Sequence, residues 1–191
     1  MEWAFSDGLI NTFERGYGIC EVTMTEDWAT RIKLLILDVD GVMTDGRIIL
    51  NARGQEIKRF HVRDGYGIKR LLDAGIDVVI ITGRKSKVVE YRAKELGIQE
   101  VYQGVKEKGP LCREVVARKN LMKDQVCCMG DDLPDLPMFA QAGVSIAVAD
   151  AAVEVRSAAT LVTDQKGGRG AVREVCEWIL RAQQNWPGTT P

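Results

Sequence analysis

The sequence predicts an α/β protein built as a three-layer sandwich, in which helices cover both faces of a mostly parallel, Rossmann-like sheet. Short apolar runs alternate along the chain with segments of helical periodicity. Such alternation is typical of right-handed β-α-β crossovers, which pair the strands in parallel. The chain has 191 residues, 46% of them hydrophobic, which is long enough for one such core and short for two.

The strands are predicted where short apolar runs are bounded by turn residues. Residues 32–37 are apolar on both faces, as in the centre of a parallel sheet, and residues 76–81 repeat the pattern. Between these two strands, residues 47–60 alternate apolar and polar side chains around a turn at 51–54, which predicts a protruding β-hairpin. Further strands are predicted at 101–102, 126–129, 144–147 and 161–162.

The helices are predicted from their apolar period, from capping side chains and from the glycines that end them. Asp64 is expected to be the N-cap of a helix that places Ile68 and Leu71 on one face and ends at Gly75. Another helix is predicted at 86–96, capped by Ser86 and ended by Gly97, and further helices at 109–120 and 134–142. The last helix carries an apolar stripe formed by Val172, Val175, Cys176, Ile179 and Leu180.

Composition and charge exclude several classes of protein. Lys and Arg number 26 against 27 Asp and Glu, so the net charge of -1 provides no basic face for nucleic acid. No apolar run approaches the roughly 18 residues of a membrane span, and Asp7 and Glu14 interrupt any secretory signal. The five cysteines form no CxxC pair, which favours a reducing compartment. We therefore expect a cytoplasmic protein without nucleic-acid or membrane partners.

The domain organisation is expected to be one domain at 31–183, preceded by an extension at 1–30 and followed by a tail at 184–191. The extension holds five of the twelve aromatic residues of the chain, unlike a typical disordered tail. Two interpretations stay open: either the extension docks on the domain or on a neighbouring subunit, or Met24 is the natural start of the protein.

Polar residues directly after the predicted strands are the candidates for chemistry, because ligands of such sheets bind beyond the carboxyl ends of the strands. Four groups stand out: Asp38 with Asp40, Thr82 with Gly83 and Arg84, Lys108, and Asp131 with Asp132 and Asp135. A divalent cation relieves repulsion among such carboxylates, and the other groups suit an anion. Taken singly, each group except the cluster of three acids is also explained by a turn, a helix cap or a solvated surface.

The order of these motifs resembles the haloacid dehalogenase superfamily of phosphotransferases, over about residues 32–182. A bacterial phospho-receiver domain also uses acids, threonine and lysine, but its acceptor aspartate follows the third strand, whereas Asp38 and Asp40 follow the first. A complete GxGxxG is missing, since position 70 is Arg in the run that starts at Gly65.

The resemblance implies a phosphatase that works through an aspartyl-phosphate. Asp38 is the implied nucleophile, and Asp40 is the implied general acid for the leaving alcohol and then the base for water. The implied cofactor is Mg²⁺, bound by Asp38, the backbone carbonyl of Asp40 and Asp131, with Asp135 in support. Thr82 and Lys108 are implied to hold the transferring phosphoryl oxygens.

The spacing of the motifs indicates a capless member of this superfamily. Only the hairpin and one helix fill the gap between Asp38 and Thr82, and only a helix and a strand separate Lys108 from Asp131. Neither gap has room for a cap domain, so we expect the site of one subunit to be open to water.

Five segments are similar to the 3-deoxy-D-manno-octulosonate 8-phosphate phosphatase family: FHVRDGYG at 60–67, TGRKS at 82–86, QGVKEK at 103–108, GDDL at 130–133 and GGRGAVRE at 167–174. That family is capless, tetrameric and Mg²⁺-dependent, and serves lipopolysaccharide sugar synthesis. The similarity places these residues against an acidic sugar phosphate: His61, Val62, Arg63, Asp64, Gly65, Lys69, Arg84, Arg92 and Lys108. Asp40, Gly83 and Arg169 complete the expected substrate contacts.

Several alternatives stay open at this point. Lys69 and Arg92 also fit exposed helix faces, and His61 fits a surface position. The alternative substrate is a nine-carbon sialic-type sugar 9-phosphate, and the non-enzymatic alternative is a regulatory module on the same fold, against which the intact motifs argue. The hairpin is expected to join a homotetramer, since a two-stranded ribbon gains by pairing with its copies. The loop at 167–170 either brings Arg169 over a neighbouring site or is simply flexible.

Overall fold

The computed structural model describes residues 27–187. Most of the expected N-terminal extension, up to position 26, lies outside the described residues, and so does the end of the expected tail at 188–191. Among the helices of the described part, none combines the length and the apolar character needed to cross a membrane.

A parallel sheet of six strands forms the middle layer, as predicted. The strands in chain order are β1 Leu34–Leu37, β2 Ile49–Leu50, β3 Glu56–Ile57, β4 Asp77–Thr82, β5 Glu100–Gln103, β6 Val126–Gly130, β7 Val144–Ala147 and β8 Leu161–Val162. The main sheet has the order β5-β4-β1-β6-β7-β8, and all its pairs are parallel. The four residues of the central strand β1 are completely buried, as expected for a strand covered on both faces.

The register of the central strands brings the chemical groups to one edge. Leu37 of β1 pairs with Ile80 of β4 and with Met129 of β6. The three strands therefore end at nearly the same level, and the chain segments that follow them emerge together. This is the carboxyl edge, where parallel α/β sheets bind their ligands.

The helices cover the sheet, and α2 packs against α7 while α4 packs against α5. Their bounds are α1 Asp27–Arg31, α2 Val62–Asp73, α3 Lys87–Leu96, α4 Lys108–Arg118, α5 Leu136–Phe139, α6 Val153–Ala158 and α7 Ala171–Ala182. Short 3₁₀ turns lie at Lys123–Gln125 and Leu133–Asp135. The predicted end of α3 at Gly97 is confirmed, since this residue adopts a left-handed φ of 87°.

The expected N-cap role of Asp64 in its own helix is wrong. Helix α2 begins at Val62, with His61 as the preceding residue. The carboxylate of Asp64 instead accepts the backbone N–H of Arg173, in the first turn of α7, at 2.8 Å. Asp64 therefore joins two helices that are distant in sequence, a tertiary contact that local capping rules do not reveal.

Two further helices differ from the sequence-based expectation. The helix expected at 134–142 is limited to Leu136–Phe139. Pro134 lies in the 3₁₀ turn that precedes it, and the chain turns back into β7 at Gly143, where a side chain would collide with the backbone at Asp124. Helix α6 was not predicted, because six residues contain too little apolar period to recognise.

Strands β2 and β3 form a two-stranded antiparallel pair at the position of the expected hairpin. Asn51 Oδ1 closes the turn by accepting the N–H groups of Arg53 and Gln55 at 2.9 and 3.0 Å. This pair and α2 are the regular elements between Asp38 and Thr82.

Residues on both sides of the expected domain boundaries pack on the sheet and helices. Gln183 donates from Nε2 to the carbonyls of Ala29 and Ile32, both at 2.9 Å. Trp186 is 8% exposed and meets the ring of Tyr66 edge to face, with ring centroids 6.2 Å apart. A single domain at 31–183 is our proposal for the domain organisation, and Ala29 and Trp186, just outside it, pack on it.

Candidate active site

The four groups predicted from the sequence lie at the carboxyl edge of the sheet. Asp38 directly follows β1, Thr82 is the last residue of β4, Lys108 is the first residue of α4, and Asp131 directly follows β6. Asp38, Thr82 and Lys108 are each no more than 6% exposed. Polar groups are rarely buried to this extent without a partner or a function.

Lys108 joins two carboxylates at the centre of the site. Its Nζ lies 2.6 Å from Oδ1 of Asp38 and 2.6 Å from Oδ1 of Asp135. Burial alone lowers the pKa of Lys108, but the two carboxylates outweigh burial, and the net shift is upward. Lys108 is therefore a cation at neutral pH.

The carboxylates outnumber the cation that faces them. Burial, followed by the charge of Asp135, raises the pKa of Asp38 to about 6, against the opposing effect of Lys108. Burial, followed by the charges of Asp38 and Asp135, raises the pKa of Asp131 to about 8. One oxygen from each of Asp38, Asp131 and Asp135 lies within 4.8 Å of the others. A cluster of hard oxygen donors with uncompensated negative charge fits Mg²⁺.

Glycine allows the loop after β1 to pass directly beneath Asp131. Gly41 has a left-handed φ of 97°, and a Cβ at this position would overlap the Asp131 carboxylate. Asp135 holds the backbone of the same loop in place, because its Oδ2 accepts the N–H groups of Asp131 and Asp132 at 3.0 and 3.3 Å. These contacts agree with the expected supporting role of Asp135.

The hairpin adds two charged residues that the sequence analysis did not single out. Lys58, just after β3, contacts Oδ1 of Asp40, and its Nζ lies 3.3 Å from Oε1 of Glu56. Arg84 donates from Nη2 to the same Glu56 oxygen at 2.7 Å. The available signal was the strand period, which places Glu56 and Lys58 on one face and Ile57 on the other.

The other expected substrate contacts divide into exposed and packed residues. Val62, Arg63, Lys69 and Gly83 are exposed. A Cβ at Gly83 would meet only the Val105 carbonyl at 3.7 Å, so the approach to its backbone is open.

The side chain of Arg92 passes close over Gly65, so a Cβ at Gly65 would overlap the Arg92 guanidinium. The central carbon of this guanidinium lies 5.6 Å from the centroid of the Phe60 ring. Three expected contacts also carry buried polar atoms that have no hydrogen-bond partner among residues 27–187: His61 Nδ1, Asp64 Oδ2 and Arg92 Nε.

The glycine-rich loop at 167–170 packs against the loop that follows β1. Gly168 donates its N–H to the carbonyl of Val42 at 2.9 Å, and Gly167 donates to Oδ1 of Asp150 at 2.9 Å. A Cβ at Gly167 would overlap the carbonyl oxygen of Gly41. The start of this loop is therefore held in place within its own chain, whereas Arg169 is exposed.

Comparisons with known proteins agree with this geometry. Residues 100–175 match the family model described as haloacid dehalogenase-like hydrolase. The chain is 52% identical over 162 residues to the 3-deoxy-D-manno-octulosonate 8-phosphate phosphatase of Yersinia pestis, covering 85% of this chain and 87% of the relative.

Solved structures of similar proteins share the fold. The crystal structure of the Yersinia pestis phosphatase superposes with a TM-score of 0.83 at 51% identity, covering 85% of this chain and 88% of the other. The phosphatase of the same description from Moraxella catarrhalis, solved in complex with magnesium ion, phosphate ion and KDO, gives a TM-score of 0.81 at 43% identity. That superposition covers 84% of this chain and 92% of the other.

Proposed function

The chain belongs to the 3-deoxy-D-manno-octulosonate 8-phosphate phosphatase family of haloacid dehalogenase-like hydrolases, and from this membership we propose that it hydrolyses 3-deoxy-D-manno-octulosonate 8-phosphate. The products are the free sugar acid, used for lipopolysaccharide precursors, and inorganic phosphate. The observation that carries the proposal is the set of buried Asp38, Lys108 and Asp135 with the half-buried Asp131, in a chain that shares 52% identity with such a phosphatase.

Asp38 is the nucleophile of the proposed reaction. Its carboxylate oxygen forms a bond to phosphorus while the bond from phosphorus to the sugar oxygen breaks, which leaves an aspartyl-phosphate. Lys108 holds Oδ1 of Asp38 and leaves the second oxygen free to attack. A nucleophile must be ionised, and the Lys108 cation favours the ionised form of Asp38 against burial and the charge of Asp135, which raise the pKa of the group.

Asp40 is the general acid and base. It gives a proton to the departing sugar oxygen and then takes one from the water that hydrolyses the aspartyl-phosphate. Its position two residues after Asp38 places both carboxylates in the same loop, at the end of the rigid central strand. One group thus serves both half-reactions.

The residues present fit Mg²⁺, with Asp38, the Asp40 carbonyl and Asp131 as ligands and Asp135 as support. A bound Mg²⁺ neutralises charge on the phosphoryl group and so favours attack by an anionic nucleophile. Asp135 keeps the loop at 131–132 in place through its two backbone hydrogen bonds.

Thr82 and Lys108 bind the phosphoryl oxygens, assisted by the open backbone of Gly83. Arg84 suits the carboxylate of the sugar acid, because its guanidinium binds such groups in two-pronged fashion. Further contacts to the sugar come from His61, Val62, Arg63, Asp64, Gly65, Lys69, Arg92 and Arg169. Unpaired buried atoms on His61, Asp64 and Arg92 support a polar ligand beside them.

The proposal includes a homotetramer joined through the hairpins. Three apolar side chains of this region are exposed in one chain: Ile48 at 64%, Leu50 at 59% and Ile57 at 47%. Leu50 lies opposite Glu56 and Ile57 opposite Ile49, so the ribbon exposes apolar side chains on both of its faces, which is typical of an interface. A neighbouring subunit would also enclose the site, which is open to water in a single chain. Arg169 of one subunit would then reach the substrate bound by the other.

A cytoplasmic location completes the proposal. Among the described residues, Cys112, Cys127, Cys128 and Cys176 are buried and form no disulfide. Free, buried thiols are usual in reducing compartments.

A panel of phosphate esters in the presence of Mg²⁺ tests the proposed function. We expect kcat/KM for the eight-carbon sugar acid 8-phosphate to exceed that for a nine-carbon sialic-type 9-phosphate by at least about tenfold, a discrimination within reach of pocket contacts. A preference for the nine-carbon substrate would overturn the substrate assignment. Absence of Mg²⁺-dependent turnover with every ester, nitrophenyl phosphate included, would overturn the phosphatase.

A further inference from the structure

Lys58 is a buried cation that the proposed reaction leaves without a role. Only 2% of its side chain is exposed, although it lies on the short hairpin. Its ammonium group contacts Oδ1 of Asp40 and lies 3.3 Å from Oε1 of Glu56. A buried ammonium is costly unless it is paired, so these two carboxylates fix the end of the side chain.

The hairpin directs this cation into the site through the period of its strand. Glu56 and Lys58 are two residues apart and share one face, whereas Ile57 between them is 47% exposed on the other. Glu56 in turn accepts from Arg84 at 2.7 Å. The face of the hairpin that carries Glu56 and Lys58 thus links Asp40 to Arg84 through two buried or half-buried charges, whereas Ile57 lies on the opposite face.

We propose that Lys58 is a positioning residue for Asp40, holding its carboxylate in the orientation that serves the leaving oxygen and the hydrolytic water. The inference rests on the proposed function, because it assumes that Asp40 is the acid and base. Asp40 lies on a loop and is only partly buried, so its side chain has rotamers that face away from the substrate. The contact with a fixed cation selects one of them, and general acid–base catalysis requires the group within hydrogen-bond reach.

A purely structural role for Lys58 predicts different behaviour. If the ion pair only attached the hairpin to the domain, its loss would lower stability and disturb all steps alike. If it positions Asp40, its loss affects the steps in which Asp40 moves a proton. With nitrophenyl phosphate the leaving group needs no proton, so the first half-reaction is independent of Asp40 whereas the second is not.

The test is a double-mutant cycle with Lys58→Met and Asp40→Asn, measured as steady-state turnover of nitrophenyl phosphate with Mg²⁺. We expect Lys58→Met to slow the wild type by about 10- to 100-fold, less than the roughly 100- to 10,000-fold of a complete acid–base group, because Asp40 itself is still present. In the Asp40→Asn background the same change should slow turnover by less than about twofold, because Lys58 then has nothing to position. Equal losses in both backgrounds would overturn the proposal.

Rapid mixing adds a second readout. Lys58→Met should release a burst of nitrophenol of about one equivalent per active site before a slow steady state, because only hydrolysis of the aspartyl-phosphate is impaired. Lys58→Arg keeps the cation and should recover most of the activity. If Lys58→Met does not fold, Lys58→Gln takes its place in the cycle. Slowing of the burst and of the steady state by the same factor would count against positioning.

Arg59→Gln is the matched control. Arg59 is the next residue, is 63% exposed and pairs with Asp45 at 3.2 Å, so its loss should leave both phases unchanged. If the wild type hydrolyses nitrophenyl phosphate but not the sugar phosphate, the proposed substrate is rejected. The double-mutant cycle, which uses nitrophenyl phosphate, can still be interpreted in that case. A wild-type chain inactive on both would overturn the proposed function and this inference with it.

Discussion

Nζ of Lys108 lies 2.6 Å from Oδ1 of Asp38, and the same nitrogen is shared at an equal distance with Asp135. The cation therefore does not depend on Asp38 alone for its stability in the interior. Removing one of two partners leaves a buried ion pair, whereas removing both would leave an uncompensated charge. A change at Asp38 should therefore affect catalysis without destabilising the fold.

Asp38→Asn should abolish turnover and leave the fold intact. The amide cannot form the aspartyl-phosphate, and loss of a nucleophile typically costs at least about a thousandfold in kcat. Lys108 keeps Asp135 as its partner, so the melting temperature should not fall. Turnover of nitrophenyl phosphate and a thermal melt measure the two effects. Retention of more than a few per cent of the rate would reject Asp38 as nucleophile, and Asp45→Asn, in the same loop, should keep activity.

The placement of the site was predictable because it follows from local pattern and sheet topology. The apolar run at 34–37 ends abruptly at Asp38, and parallel strands of similar length end at one edge. Lys108 does not directly follow a strand, since it is the first residue of α4, and its contact with Asp38 joins residues 70 positions apart. The sheet topology predicts that Lys108 lies at this edge, but only the structure shows its direct contact with Asp38.

Other contacts escaped prediction because they depend on tertiary packing. Asp64 fits a local N-cap pattern, yet it binds the backbone of Arg173, far along the chain. The strand period places Lys58 on the same face as Glu56, but a two-residue strand does not show which of its two faces is turned toward Asp40. The loop at 167–170 suggests flexibility by its composition, but Gly167 is packed against Gly41 because neither carries a side chain. In each case the partner is remote, and local propensity holds no information about it.

Removal of Mg²⁺ should stop turnover and lower the melting temperature. The three carboxylates of Asp38, Asp131 and Asp135 face one ammonium group, so a bound divalent cation relieves their repulsion and stabilises the folded state. Asp131→Asn should reduce the Mg²⁺-induced rise in melting temperature as well as kcat. Ca²⁺ should raise the melting temperature without supporting turnover, because its looser coordination misplaces the attacking oxygen. Full activity in excess chelator would contradict the mechanism.

Asp64 should make stability depend on pH. Burial raises the pKa of Asp64, and the opposing effects of the Arg173 N–H and of His61 do not cancel the rise. A pKa raised in the folded state means that the stabilising contribution is complete below the unfolded pKa and is lost as pH rises through the folded one. Asp64→Asn should therefore gain stability relative to wild type as pH rises above the unfolded-state pKa of an aspartate, about 4, and the gain should level off once pH exceeds the raised folded-state pKa. Urea unfolding at fixed Mg²⁺ and protein concentration measures the free energy of unfolding of both proteins at each pH. A difference between the two that stays constant with pH would contradict the prediction.

The proposed assembly predicts a mass near four times 21.2 kDa by light scattering. Ile48→Glu combined with Leu50→Glu should dissociate it, because these alternate residues share one face of the ribbon, and the pair places two charges where apolar side chains are expected to meet copies of themselves. Val153→Glu is the matched control: Val153 is also 60% exposed but lies on α6, outside the hairpin, so the mass should not change. A monomeric wild type would reject the tetramer.

Gly41→Ala should damage catalysis far more than Gly54→Ala, although both residues have a left-handed φ, of 97° and 72°. Each alanine carries a similar backbone cost of about 1–2 kcal/mol. At Gly54 nothing lies within 4 Å of the added Cβ, so no loss of stability beyond this backbone cost is expected. At Gly41 the Cβ would overlap the Asp131 carboxylate, so either the loop that carries Asp38 and Asp40 or the metal ligand must move. A misplacement of this kind costs roughly a hundredfold in kcat. Comparison of kcat and melting temperature for the two variants isolates the contact, and equal losses of kcat would show that Asp131 does not depend on it.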